Sequence, residues 1–202
     1  MKALFDRIFI PILKIYYIIK VTLFRIVVGK YAPAEVLYRC LRPEIMLPLY
    51  SAKIGKNVRI HRSVLLYAIE KDFSNLSIGD NVHIGRNAFI DLHGKVTIGD
   101  RVTIGMYSRI YSHMNVGDGN LKERYPASKG DIIIPADTVI GTSAILLYPF
   151  SLASGTLITA GSVVHGQYSK PCVLAGNPAR QTLLRPNKTD VHLTKSGIYE
   201  SD

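Results

Sequence analysis

Aliphatic residues recur along this chain with a period of six. Ile134, Ile140, Leu146, Leu152, Ile158 and Val164 stand six residues apart without a miss. Four places after each of the first five come Thr138, Ala144, Phe150, Thr156 and Ser162, small or β-branched apart from Phe150. A helical face recurs every 3.6 residues and would drift out of step with this ladder. Six is three times the strand period of two, so every aliphatic points to the same side of an extended chain. A sharp corner after each hexad turns three short strands into one coil of a prism. Stacked coils then bury the aliphatics in a core that no single repeat could make alone. The pattern predicts an all-β parallel β-helix.

The same phase begins at Ile54, with Ile60 and Leu66, and resumes after a break at Ile78, Ile84 and Ile90. Ile98, Ile104 and Ile110 follow, shifted by two residues, which marks a short insertion at one corner around His93–Lys95. Glycine follows the aliphatic at positions 55, 79, 85, 99, 105 and 141. A tight corner there needs either positive φ or a close backbone approach. The stretch 114–131 is too polar and turn-rich to be coil. It reads as a loop thrown out of the prism, and long loops on rigid scaffolds tend to carry function.

Residues 1–30 differ from all that follows. Apolar side chains, among them Ile8, Phe9, Ile12, Ile15, Tyr16, Ile19 and Leu23, are interrupted by Arg7, Lys14, Lys20 and Arg25. At 100° per residue Arg7, Lys14 and Arg25 share nearly one direction, so an amphipathic helix here carries a narrow basic stripe. Its longest uncharged run, Ile8–Leu13, falls far short of the roughly 18 residues needed to cross a bilayer. Lysines inside the apolar stretch and the lack of a small-residue cleavage site argue against a cleaved signal. Two destinations stay open: the membrane interface, or packing against the β-helix or a neighbouring subunit. The wide apolar arc favours the membrane surface. Residues 31–53, with Pro33, Pro43 and Pro48, read as a linker containing a short helix around Ala34–Leu41. The β-helix domain then occupies 54–168, and a C-terminal segment with a polar tail occupies 169–202.

Charge narrows the partners. The 202 residues carry a net charge of +10, with a pI near 9.6. Such a balance suits phosphates, an acidic glycan or a membrane surface. Nucleic acid is not expected, because no binding motif is present and the charge is spread along the chain. Cys40 and Cys172 fit neither a disulfide framework nor a zinc site, and read as free thiols in a reducing cytoplasm.

Several motifs fall in a telling order. Ile98-Gly-Asp-Arg-Val-Thr and Ile104-Gly-Met-Tyr-Ser-Arg lead to Ile110-Tyr-Ser-His113 and the extruded loop. Thr138-Val-Ile-Gly141 follows, then Ile158-Thr-Ala-Gly-Ser-Val-Val164 and Ala175-Gly-Asn-Pro-Ala-Arg180. Over residues 54–186 the chain resembles the hexapeptide-repeat O-acetyltransferases, a group with a left-handed β-helix that includes maltose, galactoside and polysaccharide acetyltransferases. The resemblance implies a homotrimer with acetyl-CoA lying in the groove between subunits, and no metal.

It also implies roles for particular residues. His113 stands at the family's catalytic position, just before the loop. A neutral imidazole there would take the proton of a sugar hydroxyl as it attacks the thioester, a contribution typically of about 10²–10⁴-fold. Thr142, Ser143, Ala160 and Gly161 match positions along the pantetheine arm. Asn177, Pro178 and Arg180 match the adenine end, where Arg180, Arg185 and Lys170 could meet the phosphates. Val139 and His165-Gly166 depart from the Trp and the Thr-Lys often found at their positions. For the acceptor, Asn87 aligns near the family's acceptor-contacting asparagine, with Asp91 and His93 as hydrogen-bonding neighbours. The γ-class carbonic anhydrases share this fold, but their paired zinc histidines five residues apart have no counterpart here.

The expectation is an acetyl-CoA-dependent O-acetyltransferase acting on a sugar of a cell-envelope glycan or lipid-linked sugar, held at the cytoplasmic face of the membrane by residues 1–30. A soluble enzyme that acetylates an antibiotic or small sugar, and a catalytically idle trimeric scaffold, are the alternatives.

Overall fold

The computed structural model describes residues 2–28, 40–68 and 72–182. The expected helix around Ala34–Leu41 and the site candidate Arg185 therefore lie largely or wholly outside the described residues. Three parallel faces make the body. The first contains Lys53–Ile54, Leu76–Ile78, Val96–Ile98 and Ile132–Ile134. The second contains Arg59–Ile60, His83–Ile84, Thr103–Ile104, Val139–Ile140, Leu157–Ile158 and Val173–Ala175. The third contains Leu65–Tyr67, Phe89–Asp91, Arg109–Tyr111, Ile145–Ser151 and Val163–Gln167.

Register stacks like on like. Ile54, Ile78, Ile98 and Ile134 pair in sequence up the first face. Ile60, Ile84, Ile104, Ile140, Ile158 and Leu174 do so up the second. Leu66, Ile90, Ile110, Leu146 and Val164 complete the third. Nearly all of these aliphatics are buried, and each fully buried one stabilises the prism by roughly 1.5–3 kcal/mol. The small residues four places on turn inward at the corners. Buried Thr138 and Thr156 hydrogen-bond Pro135 O and Ala153 O at 2.7 Å, closing the corner carbonyls that a tight turn leaves open.

Glycine serves close approach here, not positive φ. A Cβ on Gly105 would sit 2.6 Å from Thr142 N, and one on Gly141 would sit 2.5 Å from Ala160 N. The left-handed conformation falls two residues later, on Asn57, Asn81, Asn87, Arg101, Tyr107 and Ser143, with φ between 54° and 60°.

Between Ile134 and Val164 the ladder is irregular at one corner, around Phe150. The strand Ile145–Ser151 runs on past the corner, its pairing to Val163–Gln167 shifting register between Leu146 and Phe150. Leu152 is consequently outside any strand and only partly buried.

Helix α1 spans Lys2–Val28. It lays Leu13, Tyr17 and Val21, spaced i, i+4, i+8, onto the body, where Tyr50 Oη donates to Tyr17 O at 3.4 Å. Ile8, Ile12, Ile15, Ile19 and Leu23 on the opposite side remain exposed. One face thus packs against the body, and the other has no cover among the described residues. No helix among the described residues is long and apolar enough to cross a membrane. Part of the expected linker is ordered as helix α2, Pro43–Met46, followed by a 3₁₀ turn, Leu47–Tyr50, with Met46 and Leu47 fully buried beneath the first coil.

Candidate active site

One corner of the prism, between the third face and the first, carries the insertions. Residues 72–75, 92–95 and 112–131 all leave the coil there. The extruded loop is anchored by a short antiparallel pair in which His113 faces Lys129 and Met114 faces Ser128. Its base is tied down further, because Gly130 N donates to Ser112 O and Lys95 N to Asp131 Oδ1, both at 3.0 Å.

At the centre of this corner lies Asp91, wholly buried. Its Oδ2 accepts from Ser112 N (2.8 Å), Ser112 Oγ (2.9 Å), His113 N (3.1 Å) and His113 Nδ1 (2.5 Å). Its Oδ1 accepts from His93 N (3.2 Å) and His93 Nδ1 (2.5 Å). Burial alone would raise this carboxyl, but the hydrogen bonds from His113, His93 and Ser112 outweigh it and hold the group below the ordinary carboxylate range. The two imidazoles lie stacked, centroids 3.5 Å apart and planes 18° apart. Tyr67 closes the side of the stack, 5.1 Å from the His93 ring and 6.5 Å from that of His113.

Register explains the arrangement. Phe89 and Ile90 pair with Arg109 and Ile110, so residues 93 and 113 leave the same corner of adjacent coils. Asp91 stands two residues before one histidine and one coil below the other. Because a carboxylate only accepts, each Nδ1 carries hydrogen and each Nε2 is left on the open side, bearing a lone pair in the neutral ring. The ligand atoms of Asp91, His93 and His113 fall within 4.8 Å of one another. With both Nδ1 hydrogens directed at the carboxylate, the set has the chemistry of two Asp–His dyads sharing one acid.

The other expected site residues lie elsewhere. Thr142 and Ser143, Ala160 and Gly161, and Asn177 and Pro178 occupy the corner between the second and third faces on three consecutive coils, all exposed. They form one ridge along the prism axis, about 4.8 Å per coil. Arg180 follows in a strand that turns back antiparallel on Val173–Ala175. Asn87 lies on the same ridge, two coils below Ser143, in a cleft with His61, Arg62, Ser63 and Arg86. It is therefore at the far end of its strand from Asp91, and the two do not meet within one protomer. Asp91 lies behind the imidazoles with both oxygens committed, so it reaches an acceptor only through them. The pairing of His93 with Asp91 was not evident from the residues individually. The signal was the spacing, with His93 and His113 separated by one full coil.

No family model matches the chain. Over 127 residues it is 28% identical to the bifunctional protein GlmU of Buchnera aphidicola subsp. Acyrthosiphon pisum, a match covering 60% of this chain and 27% of that protein. The chain thus spans about a quarter of the length of the curated relatives it matches. Among solved structures, it is similar to a hexapeptide-repeat-containing acetyltransferase from Vibrio cholerae O1 biovar eltor complexed with acetyl coenzyme A. The TM-score is 0.66 at 19% identity, covering 78% of this chain and 86% of that one. A galactoside acetyltransferase in complex with coenzyme A gives 0.61 at 19% identity, over 95% and 90% of the two chains. A mutant of AntD, an N-acyltransferase from Bacillus cereus, in complex with dTDP and coenzyme A, gives 0.56 at 19% identity, over 69% and 76%. The body of this chain therefore has the left-handed parallel β-helix fold of the hexapeptide-repeat acetyltransferases.

Proposed function

We propose that the protein is an acetyl-CoA-dependent O-acetyltransferase whose acceptor is a sugar hydroxyl of a cell-envelope glycan or lipid-linked sugar. The observation that carries this reading is the Asp91–His113 contact, which leaves a lone pair on Nε2 of His113 at the mouth of a loop-bearing corner. A sugar hydroxyl is a poor nucleophile until its proton is removed. Nε2 takes that proton as the oxygen attacks the thioester carbonyl, and Asp91 stabilises the imidazolium that forms. The tetrahedral intermediate collapses with loss of the CoA thiolate.

The ridge Thr142, Ser143, Ala160, Gly161, Asn177 and Pro178 would carry the pantetheine and adenine portions, with Arg180 supplying charge to the phosphates. In one protomer that ridge and His113 sit on different edges. The reading therefore calls for a homotrimer, with the ridge of one subunit facing the histidine corner of the next and Asn87 brought to the acceptor. The exposed apolar face of α1, beside the basic stripe of Arg7, Lys14 and Arg25, suits attachment to the inner face of the cell membrane, where lipid-linked sugars are met.

The test is thioester consumption by wild type and His113→Ala, with acetyl-CoA and a panel of envelope sugars. A fall of two or more orders of magnitude with folding intact is expected. Equal rates in both would overturn the mechanism, and the absence of CoA binding in either would leave only a scaffold.

A further inference from the structure

We propose that His93 is the general acid of the same reaction, protonating the departing thiolate while His113 removes the acceptor's proton. The inference rests on the acetyltransferase reading and adds a second catalytic residue to it. Its basis is the sharing of one buried carboxylate by two stacked imidazoles. Nδ1 of His93 and Nδ1 of His113 each lie 2.5 Å from a different oxygen of Asp91. Rings so close to parallel, with both Nδ1 atoms turned to one carboxylate, present their two Nε2 atoms side by side on the opposite edge. That edge is reachable: the side chains of His93 and His113 are 15% and 25% exposed, whereas Asp91 is sealed.

Satisfying Asp91 does not require the second ring. Oδ2 alone accepts four hydrogen bonds, and Oδ1 already has His93 N. What the second ring adds is a place for a proton. A carboxylate with two neutral imidazoles carries one negative charge, and a proton on either ring makes a balanced ion pair. A second proton, arriving on His113 during attack, sets two like charges face to face at 3.5 Å, and that repulsion drives the His93 proton out to the leaving sulfur. On this proposal the resting cluster carries one proton, which either ring can bear. When the proton is on His93, the neighbouring His113 is free to act as base, so one state of the cluster offers an acid and a base side by side.

The step balances. The acceptor O–H breaks and its proton goes to Nε2 of His113, while the oxygen bonds to the thioester carbon. The C–S bond then breaks and Nε2 of His93 gives its proton to sulfur, releasing ester and free thiol. The cluster still holds one proton, now on His113, and solvent exchange returns it to His93 before the next turnover.

Leaving-group dependence separates an acid from a brace. His93→Asn keeps an N–H near the position of Nδ1 but has no acidic proton. Its kcat/KM should fall about 10- to 100-fold with acetyl-CoA. With the acetyl thioester of 4-nitrothiophenol, whose thiolate departs unprotonated, it should fall less than about 3-fold. His113→Ala should lose about 100-fold or more with both donors. An equal loss by His93→Asn on the two donors would reduce His93 to a positioning residue and overturn the proposal, as would no loss with acetyl-CoA. A His113→Ala enzyme as active as wild type would instead sink the underlying acetyltransferase mechanism. Wild type alone supplies a second measure: across thioesters of graded leaving ability its rate should vary little, and a steep dependence would overturn the acid role without any variant.

Discussion

Nδ1 of His113 lies 2.5 Å from Oδ2 of Asp91, and this contact decides which ring nitrogen is free to act. Asp91→Asn nearly preserves the shape but presents an amide that can donate as well as accept. It can therefore stabilise the tautomer with hydrogen on Nε2, which is useless as a base. The expected result is a fall in kcat on the order of 10²–10⁴ with KM little changed. Steady-state kinetics with acetyl-CoA, read beside the ring ¹⁵N shifts of His113, would check it. A loss below tenfold would mean that the carboxylate does not set the tautomer.

The same carboxylate links stability to pH. Asp91 is held below the ordinary carboxylate range in the folded protein, and the unfolded chain returns it to about 3.9. A group depressed in this way contributes stability that is fully present above its unfolded value and is lost as pH falls through the folded one. The difference in urea stability between wild type and Asp91→Asn should therefore be largest above about pH 5 and shrink below about pH 4. A gap that stays constant from pH 7 to pH 3 would show that the hydrogen bonds from His113, His93 and Ser112 do not distinguish the ionised acid.

Corner chemistry makes a paired prediction with opposite signs. Gly105 has no room for a side chain, since its Cβ would sit 2.6 Å from Thr142 N on the next coil. Gly105→Ala should destabilise the protein by about 1–3 kcal/mol, the usual cost of overpacking. Two residues on, Tyr107 is exposed and held at a φ of 60°, a conformation that L side chains adopt at a cost. Tyr107→Gly should be neutral or stabilising, within about 1 kcal/mol. Denaturant melts of the two variants test both claims, and a reversal of the signs would mean that the glycines are there for their backbone freedom.

Much of the prism was legible because its rule is short-range and repetitive. Ile134, Ile140, Leu146, Ile158 and Val164 announce a period that only a coiled sheet satisfies, and each proves buried in register with its neighbours. Leu152 obeys the period and yet stands outside any strand, because the strand before it runs on past its corner with a shift of register. A binary pattern of apolar and polar positions does not show where a strand overruns its corner. The glycines were legible as corners, but their reason was not, since close approach depends on the coil above. The cluster was only half readable. His113 stands out by its place before the loop, while Asp91 and His93 look like surface residues until adjacent coils are stacked and the twenty-residue offset brings both rings to one carboxylate. The first-coil packing of α2 was missed for a similar reason: Pro43 and Pro48 read as linker, whereas Pro43 opens a helix turn whose Met46 is buried beneath the body.

Helix α1 puts Leu13, Tyr17 and Val21 against the body and leaves Ile8, Ile12, Ile15, Ile19 and Leu23 on the other side, each more than half exposed. Arg7, Lys14 and Arg25 run between the two faces. If the outer face enters a lipid interface, its side chains contribute by burial, roughly 1.5–3 kcal/mol each, and the cations add a salt-sensitive term. The double variant Ile12→Glu, Ile19→Glu should therefore weaken partitioning to vesicles containing anionic lipid by about 100-fold or more. Melting temperature should be unchanged, because neither side chain touches the body. Raising salt should weaken wild-type binding as well, though less than the double variant does. Partitioning that is equal in wild type and variant would remove the membrane from the account. A variant that changes oligomeric state instead, with no vesicle binding by wild type, would assign the outer face of α1 to a neighbouring subunit.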